Sequence, residues 1–356
     1  MVINRDFTKG RKNIVSDKYT LQEIISQTDA WLEAIQTVEK KHTDIRSIDL
    51  SGFDQIIFLG CGSTYYLSLS AAALMQSLTG IPCRGFPSSE IFLSPEVVFP
   101  KKGKIALCAI SRSGNTTETI RAIKFFRANF DGKVIAITNV DNSQLANLGD
   151  LNLIIPGGYD KSVAQTRSFA SMYVAATTLA VIASHRTDLH DAYHSIAEVG
   201  ERIIHEYNPL AQRYGEDHDI RQLFFLGSGV NYGLACESSL KAKEMSLTVS
   251  EPFHFMEFRH GPISMVDDHT LVIGLLSDDK IHHENAVIQD TINLGAKVLT
   301  LNEENAIINF SSHLPQTLRG VLYLPVLQLM AYYRAKSFGL DPDHPRNLSA
   351  VVELKY

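Results

Sequence analysis

Residues 221–262 read RQLFFLGSGVNYGLACESSLKAKEMSLTVSEPFHFMEFRHGP, and this stretch decides the fold. A short apolar run, Leu223 to Leu226, stops at Gly227, Ser228 and Gly229, as buried parallel strands do. The pattern predicts a strand, a glycine turn, a helix over about Tyr232 to Leu247, and a loop carrying Glu257, Arg259 and His260. On a helix turning about 100° per residue, Glu237, Lys241 and Glu244 fall in one narrow stripe. Leu240 and Leu247 flank the stripe on one side, Leu234 and Met245 on the other. The opposite face is small or polar: Ala235, Ser239, Ala242, Lys243 and Ser246. A solvated Glu–Lys pair contributes only a few tenths of a kcal/mol. Charges set among apolar residues must be paired, and their proton affinities shift. That is how a carboxylate is prepared for proton transfer.

Working outward, the pattern of this stretch occurs twice. Asp54 to Tyr66 (DQIIFLGCGSTYY) matches Arg221 to Gly233 (RQLFFLGSGVNYG) at a constant offset, sharing Gln, Phe, Leu, both glycines and Tyr. Gly132-Lys133-Val134 echoes Ala296-Lys297-Val298 near the same offset. Between the copies, apolar runs alternate with helical segments. Strands are expected at Ile56–Leu59, Ile105–Ile110, Val134–Thr138 and Leu151–Ile155. Helices are expected at Tyr65–Leu78, Ile120–Ala128 and Ser171–Ser184, with a polar loop at 157–170. Alternation of this kind predicts α/β architecture: two tandem parallel sheets flanked by helices on both faces, joined by a linker near 186–200. Ahead of them lie a polar arm (1–17) and an amphipathic helix over 20–41. That helix must pack on something, a partner subunit being one candidate.

The copies differ in an informative way. Where the second has Glu237, Lys241 and Glu244, the first has Ser70, Leu74 and Ser77. The first copy instead carries Ser111-Arg112-Ser113-Gly114-Asn115-Thr116-Thr117-Glu118, after a buried strand and before a helix. Hydroxyls, backbone N–H groups and a helix N-terminus aim donors at one point there, and Arg112 adds a planar cation suited to phosphate or sulfonate. An ordinary N-cap needs one such residue, and this stretch has five; Thr64 adds another hydroxyl. One composite site follows, with anion binding from copy one and acid–base groups from copy two. The Gly-Lys-Ser/Thr ending of a nucleotide P-loop is missing. Gly60-Cys61-Gly62 lacks the third glycine of a dinucleotide fingerprint, so no nucleotide cofactor is expected.

Bulk properties narrow the class further. A net charge of −6 with no run of like charges points to neither nucleic acid nor an anionic membrane as partner. Four scattered cysteines, with no CxxC pair, suggest neither a disulfide framework nor a zinc ribbon. The first residues lack a hydrophobic signal region, and the longest apolar stretch, Val321 to Tyr333, is too short to span a bilayer; a cytoplasmic protein is expected. His254, His282 and His283 have no supporting context, and no metal-ligand spacing is evident.

Together, FLGCGSTYY, the Ser111–Glu118 turn, LKAKEMS, EFRHGP and the tail DPDHPRNLSAVVE resemble the sugar isomerase (SIS) family. The likeness is to double-SIS proteins such as the isomerase half of glucosamine-6-phosphate synthase, the stand-alone aminosugar-6-phosphate deaminases and the fructosamine-6-phosphate deglycases. It covers about residues 50–356. It implies two flavodoxin-like SIS domains, at 50–190 (phosphate-binding) and 200–335 (acid–base), after an arm and helix at 1–49 and before a tail over the active site at 336–356. It implies a 6-phosphosugar substrate with Thr64, Ser111, Arg112, Ser113 and Thr116 on the phosphate positions, and Val163 and Gln165 on a sugar-contacting loop. Ser349 in the tail joins the substrate-binding set. Glu244 falls on the carboxylate that moves a proton between C1 and C2, beside Lys241 and Glu237. His260 falls on the ring-opening histidine, supplied by the neighbouring subunit, which implies a homodimer. Histidine suits that step because it takes and returns a proton near neutrality.

Three departures separate this chain from the synthases. No glutaminase domain precedes residue 1, so the chain is expected not to draw ammonia from glutamine by itself. Ala350 stands where the synthase tail has a lysine, with Lys355 a few residues on. Arg112 replaces the synthase's glutamine. These changes point toward deamination, deglycation or simple isomerisation, with a sulfosugar isomerase as the variant in which Arg112 meets a sulfonate. A non-catalytic sugar-phosphate-binding regulator is the alternative of another class.

Overall fold

The computed structural model describes residues 18–349. The polar arm at 1–17, Ala350 and Lys355 lie outside them.

Five parallel strands form the first sheet: β1 (Gln55–Gly60), β2 (Cys83–Pro87), β3 (Ile105–Ser111), β4 (Gly132–Thr138) and β5 (Leu151–Ile154), in the order β2-β1-β3-β4-β5. The second holds β6 (Gln222–Gly227), β7 (Val249–Phe253), β8 (Thr270–Leu275), β9 (Lys297–Asn302) and β10 (Ile308–Asn309), in the order β7-β6-β8-β9-β10. The same order in both sheets is the duplication made visible. Its signature reaches the dihedrals: Gly62 (φ 56, ψ −124) and Gly229 (φ 60, ψ −124) open corresponding helices in a conformation that L side chains avoid. The edge strands β2 and β7 are absent from the sequence-based expectation. Each contains a proline, Pro87 or Pro252, which interrupts a strand pattern but is tolerated at a sheet edge.

Alternation along the strands places two layers of core. Ile56 and Phe58 of β1, with Leu223 and Phe225 of β6, enter one continuous core. Ile57 and Leu59 turn to a second cluster, and Phe224 and Leu226 to a third, on the outer faces. The central core is filled by helices Gln27–Lys40, Ser63–Thr79, Arg167–Ala183, Val230–Ser246 and Leu324–Ser337. The lead-in helix therefore packs within its own chain, with Trp31 fully buried against Gly200. Residues 186–200, expected as a linker, hold helix Thr187–Tyr193 and the start of helix Ile196–Gly215. No described helix is long and apolar enough to cross a membrane, and the four cysteines are free.

Helices Ser63–Thr79 and Val230–Ser246 place the site. Ser70 Oγ donates to the Val230 carbonyl, while at the other end Lys241 Nζ donates to Ser63 Oγ at 3.0 Å. The pair is antiparallel and very close: a Cβ on Gly233 would sit 2.4 Å from the Tyr66 carbonyl oxygen. This explains the small residues on helix Val230–Ser246. Ala235, Ser239, Ala242 and Ser246, read from the sequence as the face opposite the apolar one, are buried as well, and Leu247, read as apolar flank, is 47% exposed. The helix is enclosed on nearly all sides, not amphipathic.

Candidate active site

In an open parallel sheet, a crevice forms where the strand order reverses, outside the carboxyl ends of the strands. In the first sheet that point lies between β1 and β3, and a cavity of about 190 Å³ occupies it. Cys61, Gly62 and Ser63, after β1, and Arg112, Thr116 and Glu118, after β3, form one wall. Val163 and Gln165 come from the loop before helix Arg167–Ala183, Leu348 and Ser349 from the tail, and Glu244 from the second copy.

Antiparallel packing brings Glu244 here. The carboxyl end of helix Val230–Ser246 lies over the amino end of helix Ser63–Thr79, where the helix dipole favours negative charge. Glu244 is 19% exposed and its Oε2 is bonded to Lys241 Nζ. Lys241, 1% exposed, also meets Glu237 Oε1 at 3.2 Å, a charge contact without hydrogen-bond alignment. Glu237 is buried behind the pocket. Burial pushes its carboxyl up to about 8; Lys241 pulls it down and the Glu244 carboxylate pushes it up again. Burial alone would lower the Lys241 ammonium, but Glu237 and Glu244 together hold it above its ordinary value. The stripe is thus a cluster of three ionisable groups, two of them buried behind one partly exposed carboxylate.

The anion loop divides its labour. Ser111 Oγ and Thr116 Oγ1 bond each other at 3.0 Å, and the Gly114 amide donates to Ser111 Oγ. Ser113 Oγ accepts from the Asn115 amide. Thr64 is buried and bonds the Cys61 backbone from both sides. Ser111, Ser113 and Thr64 therefore shape the turns, while Arg112 and Thr116 line the cavity. Arg112 is 4% exposed, and its Nη1 donates to the Ser162 and Val163 carbonyls at 3.1 and 3.0 Å. It holds the 160s loop as well as facing the ligand space. Glu23 clamps the same loop, accepting from the Lys161 amide, the Ser162 amide and Ser162 Oγ. Asp343 completes the clamp: its carbonyl accepts from the Val163 amide and its carboxylate from Thr20.

Cys61, Gly62, Ser63, Glu118 and Leu348 are cavity residues that sequence reasoning passed over. The first four are neighbours of named residues within motifs already recognised; only side-chain direction separates Ser63 from Thr64. Glu118 lines the cavity, and its Oε2 is buried with no hydrogen-bond partner among the described residues. Burial raises the Cys61 thiol, which makes it a weak nucleophile. His260 is exposed in this chain and does not line the cavity.

The corresponding crevice of the second sheet is filled. Asn231 Nδ2 donates to the Leu275 and Leu276 carbonyls, and Tyr323 Oη bonds Leu276. The turn after β8 has no hydroxyl-rich anion loop: Glu284 accepts from the Ser277 amide and hydroxyl, and Asp278 pairs with Arg319.

A duplicated parallel α/β scaffold with one such cavity at its first switch point defines the class. The chain belongs to the SIS domain family, whose model matches residues 49–182 and 218–333. It is 28% identical over 356 residues to glutamine–fructose-6-phosphate aminotransferase (isomerizing) of Thermococcus kodakarensis, an alignment covering 95% of this chain and 58% of that protein. It spans little more than half the length of the curated relatives it matches. A solved glucosamine-6-phosphate deaminase from Thermotoga maritima superposes with a TM-score of 0.79 at 27% identity, covering 94% of this chain and 99% of that one. Tagatose-6-phosphate ketose/aldose isomerase from Escherichia coli shares the fold, with a TM-score of 0.84 at 20% identity and coverage of 93% and 97%.

Proposed function

We propose that the protein is an isomerase or deaminase of a hexose 6-phosphate, with glucosamine 6-phosphate the first substrate to test. The observation that carries this reading is the cavity that brings Glu244 together with Arg112, Thr116 and Gln165. The acidic end of the sugar binds the turns after β1 and β3, where two helix N-termini and Arg112 favour an anion. Glu244 takes a proton from C2 of the open-chain sugar and delivers one to C1 through an enolamine. The imine left at C2 adds water and releases ammonia. Lys241 holds the Glu244 carboxylate in position, and the Glu118 carboxylate accepts from the sugar. The exposed His260 serves ring opening from across a homodimer interface, the partner subunit's His260 completing each site. The 27% identity to the Thermotoga maritima deaminase, over 94% of this chain, supports deamination as the reaction to test first.

Glu244→Gln tests the reading. Thermal shifts with glucosamine 6-phosphate should persist while ammonia release falls by about 10³-fold. Unchanged turnover refutes the role of Glu244. Binding without turnover in the wild type indicates a sugar-phosphate-binding regulator, and a larger shift with sulfoquinovose indicates a sulfosugar substrate.

A further inference from the structure

We propose that Glu39, His190 and His194 form a binding site for a divalent transition metal of the zinc class, outside the active-site cavity. Glu39 lies in the last turn of helix Gln27–Lys40; His190 lies in helix Thr187–Tyr193 and His194 directly follows it. The i, i+4 spacing sets both imidazoles on one side of that helix. Glu39 Oε1 sits 2.9 Å from Nε2 of His190 and 2.9 Å from Nε2 of His194. The three ligand atoms all lie within 4.8 Å of one another.

Hydrogen bonding does not account for this arrangement. Glu39 Oε1 is buried, yet neither imidazole contact meets hydrogen-bond geometry, so the oxygen has no such partner among the described residues. The two rings meet edge to face, at 83° with centroids 5.8 Å apart, a contact that leaves Glu39 Oε1 unaccounted for. Metal coordination does account for it. With bonds of about 2.0–2.2 Å, neighbouring nitrogen and oxygen ligands on zinc stand about 3 Å apart. Two imidazoles and one carboxylate select zinc, cobalt or nickel over magnesium or calcium, which prefer all-oxygen sites.

A second feature adjoins the cluster. His190 also lines a cavity of about 90 Å³ with His42, Arg46 and His185. With His190 and His194 respectively 33% and 49% exposed, a three-ligand metal keeps an open position for water or a fourth ligand. The bound ion would tie the N-terminal helix to the segment between the two sheets, joining residues far apart in the chain. Sequence spacing missed the site because its third ligand comes from a distant helix.

The test uses the full chain, stripped with a chelator and titrated calorimetrically with zinc chloride, with cobalt(II) absorption as a second readout. Wild type should bind one equivalent at micromolar dissociation constant or tighter, with a rise in Tm and a cobalt ligand-field band. His190→Ala/His194→Ala should lower affinity by about 100-fold or more and abolish the band. Both histidines are partly exposed, so the double variant should keep the metal-free wild-type Tm. Glu39→Gln gives an independent check by removing the anionic ligand alone. No binding by wild type, or equal binding by the double variant, overturns the proposal.

Discussion

Replacing Glu237 by glutamine should stabilise the ligand-free protein near neutrality, and by more as the pH rises. Glu237 is fully buried, its contact with Lys241 is unaligned, and Lys241 is already bonded to Glu244. One buried cation faces two carboxylates, and a proton on Glu237 leaves the trio neutral. Its carboxyl rises from the ordinary 4.5 to about 8. Between those values the folded chain holds a proton that the unfolded chain has released. A carboxyl raised in this way contributes fully below the unfolded value, and its contribution is lost as pH rises through the folded value. The slope is about 1.4 kcal/mol per pH unit, so the loss is about 3 kcal/mol at pH 7. Glutamine keeps the volume and an oxygen for Lys241 but cannot titrate. Urea denaturation of both proteins from about pH 5 to about pH 8.5 reads the difference, which should widen until about pH 8 and then level off. A difference independent of pH, or a variant less stable throughout, refutes the reasoning and makes Glu237 an ionised partner of Lys241.

Glu23→Ala removes the acceptors of the Lys161 amide, the Ser162 amide and the Ser162 hydroxyl. Loosening the loop that carries Val163 and Gln165 should raise KM about 10-fold with a smaller change in kcat, at a stability cost of about 1–3 kcal/mol; a fall in kcat alone contradicts the clamp. Gly233→Ala drives a Cβ to 2.4 Å from the Tyr66 carbonyl. Overpacking of about 1–3 kcal/mol should outweigh the helix-propensity gain of about 1 kcal/mol, so urea melts should show net destabilisation, and a stabilised variant would show that the helices separate freely. If His260 acts across a dimer, mixing inactive Glu244→Gln and His260→Ala subunits should restore activity, because the mixed dimer holds one complete site. Mixtures as inactive as their parents contradict sharing.

The duplicated α/β architecture was legible because it rests on local patterns. Apolar runs ending at glycines mark strands β1 and β6, and the repeat marks the second sheet from the first. The stripe of Glu237, Lys241 and Glu244 was legible too, since i, i+4 and i+7 share a helix face whatever surrounds it. Edge strands β2 and β7 were not, because proline hides them and only sheet pairing defines them. Nor was the division of roles within the anion loop: Arg112 and Thr116 face the cavity while Ser111, Ser113 and Thr64 hold turns.

Sequence by itself determined strands β1, β3, β4, β5 and β6, the repeat and the chemical inventory of each copy, since these follow from periodicity and residue type. Tertiary structure alone decided which groups meet. The antiparallel closure of helices Ser63–Thr79 and Val230–Ser246 carries Glu244 across to the first crevice and links Lys241 to Ser63, 178 positions away. Close approach of two backbones at Gly233 sets that geometry, and steric fit of this kind depends on the partner surface, which no local pattern contains.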